Sequence, residues 1–154
     1  MHKLSPLIVA AWLAVFGSSI VSAEMVGQKL PSGTLNFLGP KPEMEGKPLL
    51  LEFWATWCPP CRESIPHLNE IHGRFKERGL LVVGVTDEPN AVIRQFQREV
   101  PMDYAVATDT GGRLNEKMGV SGIPQAFLVN KSGEIVWEGH PMRLRDEDIE
   151  KILE

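Results

Sequence analysis

The two cysteines of the chain, Cys58 and Cys61, are the residues whose type and spacing most clearly indicate chemistry; they lie in the segment WCPPC. A cysteine thiolate can attack a disulfide, and a second nearby thiol can resolve the mixed disulfide that forms. A structural disulfide gains more stability by closing a long loop, whereas this pair closes a very short one. A zinc ribbon needs further cysteine ligands, which the sequence lacks. The spacing therefore favours reversible thiol–disulfide exchange.

The hydrophobic pattern predicts the elements that hold the cysteines. Residues 49–55, LLLEFWA, are apolar at both alternations, which is typical of a strand buried on both faces. From Pro59 onward an apolar stripe predicts a helix, which Gly79 ends. Cys58 then lies at a helix N-terminus, where backbone N–H groups and the helix dipole stabilise a thiolate. We therefore assign the attacking thiol to Cys58 and the resolving thiol to Cys61.

An acid, Glu52, interrupts the apolar run six residues before Cys58. If its side chain is buried, desolvation should raise the pKa of the carboxyl group. The alternative is an edge glutamate that points to solvent. The apolar neighbours on both sides favour burial.

Strands alternate with helices along the rest of the chain, which predicts parallel βαβ units in an α/β domain. The terminal pair of strands flanks an NKSG turn and adds antiparallel strands. We expect one mixed sheet with helices on both faces. An entry loop and a short edge hairpin are predicted between Glu24 and Pro48, where 34–38 is the one short apolar piece. The other predicted elements are strands at 80–86 and 103–109, helices at 90–99, 111–119 and 145–153, and a hairpin of strands 125–130 and 134–138.

Residues 1–23 read as a secretory signal peptide: a weakly basic start, an apolar stretch and the small-residue ending VSA. Cleavage after Ala23 would leave one domain, 24–154; the alternative is an uncleaved membrane anchor. The net charge of −4 and the scattered Lys and Arg residues exclude a nucleic-acid-binding surface. We expect a monomer that is periplasmic or otherwise exported, without stable membrane insertion.

The segment FWATWCPPC, with Pro66 five residues beyond the second cysteine and GIP before the last hairpin, resembles the thioredoxin superfamily. More narrowly, it is similar to the exported TlpA/ResA/CcmG-like thiol–disulfide oxidoreductases. The resemblance covers about residues 30–154. It implies a thioredoxin fold with an N-terminal β extension and an extra αβ unit around 88–108. It implies no cofactor and no metal.

The resemblance also assigns roles at the site. Pro124 is expected to be cis beside the disulfide, and the backbone of Ile123 to pair with a bound partner as an added strand. Glu52 is expected to act through water as proton acceptor for Cys61. The residues expected to bind the partner are Trp57, Pro59, Pro60, Ile123 and Pro124.

One position departs from the family pattern. Many TlpA/ResA-like members carry a glutamate three residues after the second cysteine, where this chain has Ser64. The nearest acid, Glu63, is one residue earlier, and one residue turns a helical side chain by about 100°. General disulfide exchange is unaffected, whereas a specialised role in cytochrome c maturation stays open.

The direction of exchange follows from the dipeptide between the cysteines. Pro59 and Pro60 supply no charge that would stabilise the thiolate as in a dedicated oxidase, so we expect a reductant of disulfides in exported proteins. The family implies a membrane electron donor of the DsbD type. Two rivals are a thiol peroxidase, whose PxxxTxxC pattern is missing here, and a copper-binding or assembly-factor module, for which His140 is the one distal ligand candidate.

Overall fold

Six strands form one mixed sheet in the computed structural model, which describes residues 24–154. The signal peptide predicted for residues 1–23 lies outside this range. The strands are β1 Asn36–Phe37, β2 Leu49–Phe53, β3 Leu81–Thr86, β4 Ala105–Thr108, β5 Gln125–Val129 and β6 Ile135–Gly139. The helices are α1 Pro59–Phe75, α2 Asn90–Glu99, α3 Arg113–Lys117 and α4 Asp146–Leu153.

The sheet order β1-β4-β3-β2-β5-β6 places β2 in the interior of the sheet. The strands β2, β3 and β4 run parallel, while β5 pairs antiparallel with β2, and β6 with β5. Because the parallel strands are joined by α1 and α2, their carboxyl ends share one edge with the N-terminus of α1. This arrangement confirms the predicted thioredoxin fold and its extra unit, α2 and β4.

Burial on both faces explains why β2 reads as a continuous apolar run. Leu49, Leu51 and Phe53 pack into a cluster that includes residues of α3. Leu50 packs on the opposite face, in a cluster with residues of α1 and α4. Helices therefore cover both faces of the sheet, as predicted.

Small residues flank Glu52 in the sheet. Glu52 pairs with Gly84 of β3 on one side and with Ala126 of β5 on the other. Directly paired residues project to the same face of a sheet, so these two leave room beside the Glu52 side chain.

Gly84 has little room for a side chain. A Cβ atom at this position would lie 3.0 Å from Trp54 Nε1 and 3.2 Å from Tyr104 Cε2. We expect Gly84→Ala to lower the free energy of unfolding by about 1–3 kcal/mol, measured by urea denaturation. Gly73→Ala is the control, because that helical glycine has nothing within 4 Å of its Cβ position and alanine should stabilise the helix. Equal stability of Gly84→Ala and the wild type would contradict the tight packing.

The edge hairpin predicted between Glu24 and Pro48 is wrong. The segment contributes one two-residue strand, β1, which pairs antiparallel with β4. A hairpin needs two strands that pair with each other across a turn. The short apolar stretch here instead pairs with β4, whose outer edge has no other strand of the described residues beside it. Within the described residues, no helix has the length and apolar character needed to cross a membrane.

Candidate active site

A disulfide joins Cys58 and Cys61 at the N-terminus of α1. Cys58 is the N-cap residue, and its Sγ accepts a hydrogen bond from the Cys61 backbone N–H at 3.3 Å. The helix begins at Pro59, which has no N–H group to satisfy. When the pair is reduced, the same N–H group and the helix dipole favour the thiolate of Cys58.

The disulfide lies beside the turn that leads into β5. Cys58 Sγ is 3.8 Å from the carbonyl oxygen of Ile123. The Ile123–Pro124 peptide bond is cis, as the resemblance predicts. The pairing of β2 with β5 brings these two segments together although they are 65 residues apart.

The expected partner-binding residues differ in their exposure. Trp57 is 71% exposed, whereas Trp54 is 2% exposed and packs against Phe96 in the core. Pro59 and Pro60 are exposed, Ile123 is half-buried and Pro124 is buried. A cavity of about 210 Å³ lies between Trp57 and Ile123. The structure therefore places an exposed aromatic side chain next to Cys58 in the chain and a cavity that is lined in part by Trp57 and Ile123.

Glu52 is fully buried beneath this surface, with no exposed area. The alternative of an edge glutamate facing solvent is therefore wrong. Burial raises the pKa of Glu52 to about 8 from its ordinary 4.5, and a hydrogen bond with Ser64 opposes part of that rise. A carboxyl group with this pKa can exchange a proton near neutral pH.

Ser64 links Glu52 to the second cysteine. Its Oγ lies 2.9 Å from Glu52 Oε1 and 2.8 Å from the carbonyl oxygen of Cys61, and all three residues are buried. The family pattern marks Ser64 only as a position that lacks the usual acid, and it does not predict this contact. The available signal was its position on the apolar stripe of α1, one turn from Cys61 and from Leu68. Glu63 is exposed, which agrees with the prediction that it cannot replace an inward-facing acid.

Glu88 positions the loop that precedes Cys58. Its carboxylate accepts hydrogen bonds from the Thr56 backbone N–H at 2.7 Å and from the Thr56 hydroxyl at 2.6 Å. Sequence reasoning missed this contact, since the two residues lie on different loops 32 positions apart.

Glu52 is one of three buried residues in this region that have a polar side-chain atom without a hydrogen-bond partner in the described structure. Glu52 Oε2, Trp54 Nε1 and the Tyr104 hydroxyl have no hydrogen-bond partner among residues 24–154. Burial, and secondarily the charge of Glu52, raise the pKa of Tyr104 well above its ordinary value. This environment offers a charged Glu52 little compensation.

The distal histidine of the copper alternative has a local role. His140 Nδ1 accepts a hydrogen bond from the Met142 backbone N–H at 3.3 Å and caps a short 3-10 helix. Within the described part of the chain, no group of three or more His, Cys, Asp or Glu side chains could hold a metal ion.

Known proteins resemble this chain in sequence and in fold. Residues 26–138 match the model of the AhpC/TSA family. Thiol-disulfide oxidoreductase ResA of Bacillus thuringiensis subsp. konkukian is 32% identical over 118 residues, which cover 73% of this chain and 68% of the relative. A solved structure described as a thiol:disulfide interchange protein DsbE from Chlorobium tepidum matches with a TM-score of 0.74 at 26% identity, over 84% of this chain and 98% of that one. The thioredoxin domain of a Bacteroides vulgatus thiol-disulfide oxidoreductase has the same fold, with a TM-score of 0.71 at 24% identity over 84% of this chain and 98% of that one. The chain therefore belongs to the AhpC/TSA family and is a ResA-like thiol–disulfide oxidoreductase.

Proposed function

We propose that the protein is exported and reduces disulfides of other exported proteins through Cys58 and Cys61. The observation that carries this proposal is the cysteine pair at the N-terminus of α1, with Cys58 Sγ 3.8 Å from the Ile123 carbonyl oxygen and beside an open surface. Cys58 retains 3% of its area exposed, at which a partner's disulfide would approach, while Cys61 has no exposed area.

The exchange begins with the Cys58 thiolate. Its Sγ bonds to one sulfur of the partner's disulfide, and the other sulfur leaves as a thiolate and takes a proton from solvent. The Cys61 thiol then gives its proton to Glu52, directly or through a water molecule, and bonds to Cys58 Sγ. The bond between Cys58 and the partner breaks, and the partner's second sulfur leaves as a thiolate that takes a proton from solvent. The partner gains two electrons and the Cys58–Cys61 pair loses two.

The surface around Cys58 supplies partner contacts in this proposal. Trp57, Pro59 and Pro60 would pack against the segment that carries the partner's disulfide. The backbone of Ile123, held by Pro124, would pair with that segment as an added strand. Such contacts are largely independent of side-chain sequence, which suits a reductant with several partners.

The proposed function also requires export of the domain and renewed reduction of the Cys58–Cys61 disulfide. The signal peptide at 1–23 would direct the domain to the periplasm, where disulfides form and persist. After each turnover the Cys58–Cys61 disulfide must be reduced again, which in this family implies a membrane electron donor of the DsbD type. The domain would act as a monomer.

The equilibrium with a glutathione redox buffer tests the direction of exchange. We expect a reduction potential closer to the value of about −270 mV for thioredoxin than to about −120 mV for DsbA, because Pro59 and Pro60 add no charge that stabilises the thiolate. Cys58→Ala cannot form the disulfide, so it is the control for the signal that reports the oxidation of the Cys58–Cys61 pair. A potential near that of DsbA would make the protein an oxidant.

Two further measurements separate the rival functions. Tight stoichiometric copper binding by the reduced protein, retained against competing thiols, would favour a metal-handling module. Rapid peroxide consumption that needs Cys58 alone would favour a thiol peroxidase.

A further inference from the structure

Three buried oxygens lie in a row beneath the disulfide. Ser64 Oγ is 2.9 Å from Glu52 Oε1 and 2.8 Å from the Cys61 carbonyl oxygen. A hydroxyl group carries one proton, and neither a carboxylate nor a carbonyl oxygen carries any. If Glu52 is charged, only one of the two short contacts can be a hydrogen bond. If Glu52 is protonated, its O–H donates to Ser64 Oγ, and the Ser64 O–H donates to the carbonyl oxygen.

The surroundings of Glu52 favour the protonated form in the disulfide state. Glu52 forms no ion pair within residues 24–154, and its second oxygen, Oε2, has no hydrogen-bond partner there. A buried carboxylate without an ion pair and with an unpartnered oxygen costs folding free energy. The neighbouring strands contribute no titratable group at the paired positions Gly84 and Ala126. Tyr104, before β4, is the titratable group that interacts with Glu52, and its neighbour Asp103 is exposed. Cys58 and Cys61 are joined in the disulfide and do not titrate in this state.

We infer that the Ser64 hydroxyl is a proton-responsive switch between Glu52 and the backbone of the resolving cysteine. It donates to the Glu52 carboxylate while that group is charged. It turns to the Cys61 carbonyl oxygen once Glu52 holds a proton. Ser64 is thus a positioning residue, and this role rests on the proposed function of Glu52 as proton acceptor.

The switch fits the order of events in the second half of the exchange. In the mixed disulfide, the Ser64 O–H stabilises the charged carboxylate, which is the form able to accept a proton. Cys61 then transfers its thiol proton to Glu52, bonds to Cys58 Sγ and displaces the partner's sulfur as a thiolate, which takes a proton from solvent. With Glu52 protonated, Ser64 donates to the Cys61 carbonyl oxygen. This is the arrangement in which both contacts seen in the disulfide state are hydrogen bonds.

Infrared spectroscopy of the oxidised protein tests the switch without measuring activity. At pH 6 we expect the C=O stretching band of a protonated carboxyl group, assigned to Glu52 by its loss in Glu52→Gln. The band should disappear with a midpoint near pH 8, since burial raises the pKa of Glu52 to about that value. In Ser64→Ala the band should move to the higher frequency of a carboxyl group without this hydrogen bond.

The midpoint in Ser64→Ala should also rise, by roughly half to one pH unit, because the carboxylate loses a charge-assisted bond about twice as strong as a neutral one. Glu63→Gln, at the exposed neighbouring position, is the control and should change neither the band nor its midpoint.

Two outcomes would overturn the inference. A wild-type spectrum without a Glu52 band at pH 6 would show that the carboxyl group is charged in the disulfide state, and this measurement needs no Ser64 variant. An unchanged band and midpoint in Ser64→Ala would show that Ser64 only fills space. Neither outcome affects disulfide reduction by the wild type, which is measured separately and whose absence would instead remove the proposed function.

Discussion

Cys61→Ala should stop the protein at the covalent mixed disulfide between Cys58 and its partner. Cys58 keeps its place as N-cap of α1, so the initial attack should proceed. Resolution should fail, because the variant lacks the thiol that lies one helical turn away. Well-placed intramolecular groups react with effective molarities of about 10⁵–10⁸ M. External thiols at millimolar concentration cannot replace such a group, and we expect turnover to fall by at least about 10³-fold.

Mass spectrometry of the adduct with a small peptide containing one disulfide checks this result. The reduced Cys61→Ala variant should gain the mass of the peptide, and dithiothreitol should remove it. Cys58→Ala should give little adduct, because the remaining thiol of Cys61 is buried with no exposed area. The reverse pattern, with an adduct in Cys58→Ala alone, would exchange the roles of the two cysteines.

The sequence was sufficient for the parts of the fold that depend on local patterns. Apolar residues at both alternations of 49–55 identified β2 as an interior strand, and the structure buries all of β2. The apolar stripe predicted α1, whose N-cap is Cys58. The helix ends at Phe75, and a 3-10 turn, Lys76–Arg78, continues the chain to the predicted stop at Gly79, where φ is 98°. These features need only the neighbouring residues, because burial imposes the periodicity of each element directly.

The contacts that tune the site were not predictable in the same way. Ser64 meets Glu52 only because α1 packs over β2 at one particular rotation, which no local pattern encodes. The Glu88 contact with Thr56 depends on the parallel register of β2 and β3. The two-residue strand β1 is too short for any periodicity, and its partner is set by the free edge of β4. These contacts depend on long-range strand register and helix packing, which local sequence patterns do not encode.

Glu52→Gln should make the protein more stable, increasingly so as the pH rises from 5 to 8. In the folded protein, burial raises the pKa of Glu52 to about 8, whereas the unfolded chain releases this proton near the ordinary value of 4.5. Between these two values the folded state holds a proton that the unfolded state lacks. The stability of the wild type therefore falls as the pH rises, by up to about 1.4 kcal/mol per pH unit from this group. Glutamine is neutral at every pH and removes this dependence.

The advantage of the variant should reach the order of several kcal/mol near pH 8 and then level off, because the folded wild type also loses the proton there. Urea denaturation of the oxidised proteins at pH 5, 7 and 8.5 measures it. Glu63→Gln, at an exposed position, should show no such trend. A variant less stable than the wild type at pH 8.5 would contradict a buried, uncompensated carboxyl group.

The same substitution should slow the resolving step about 10²-fold or more, since glutamine cannot accept the Cys61 proton. Stopped-flow measurement of mixed-disulfide collapse would show this, with the initial attack by Cys58 unchanged. Equal collapse rates in Glu52→Gln and wild type would remove the catalytic role while leaving the stability effect. If both effects appear together, the central strand carries an acid that weakens the fold because the exchange needs a proton acceptor beneath the cysteines.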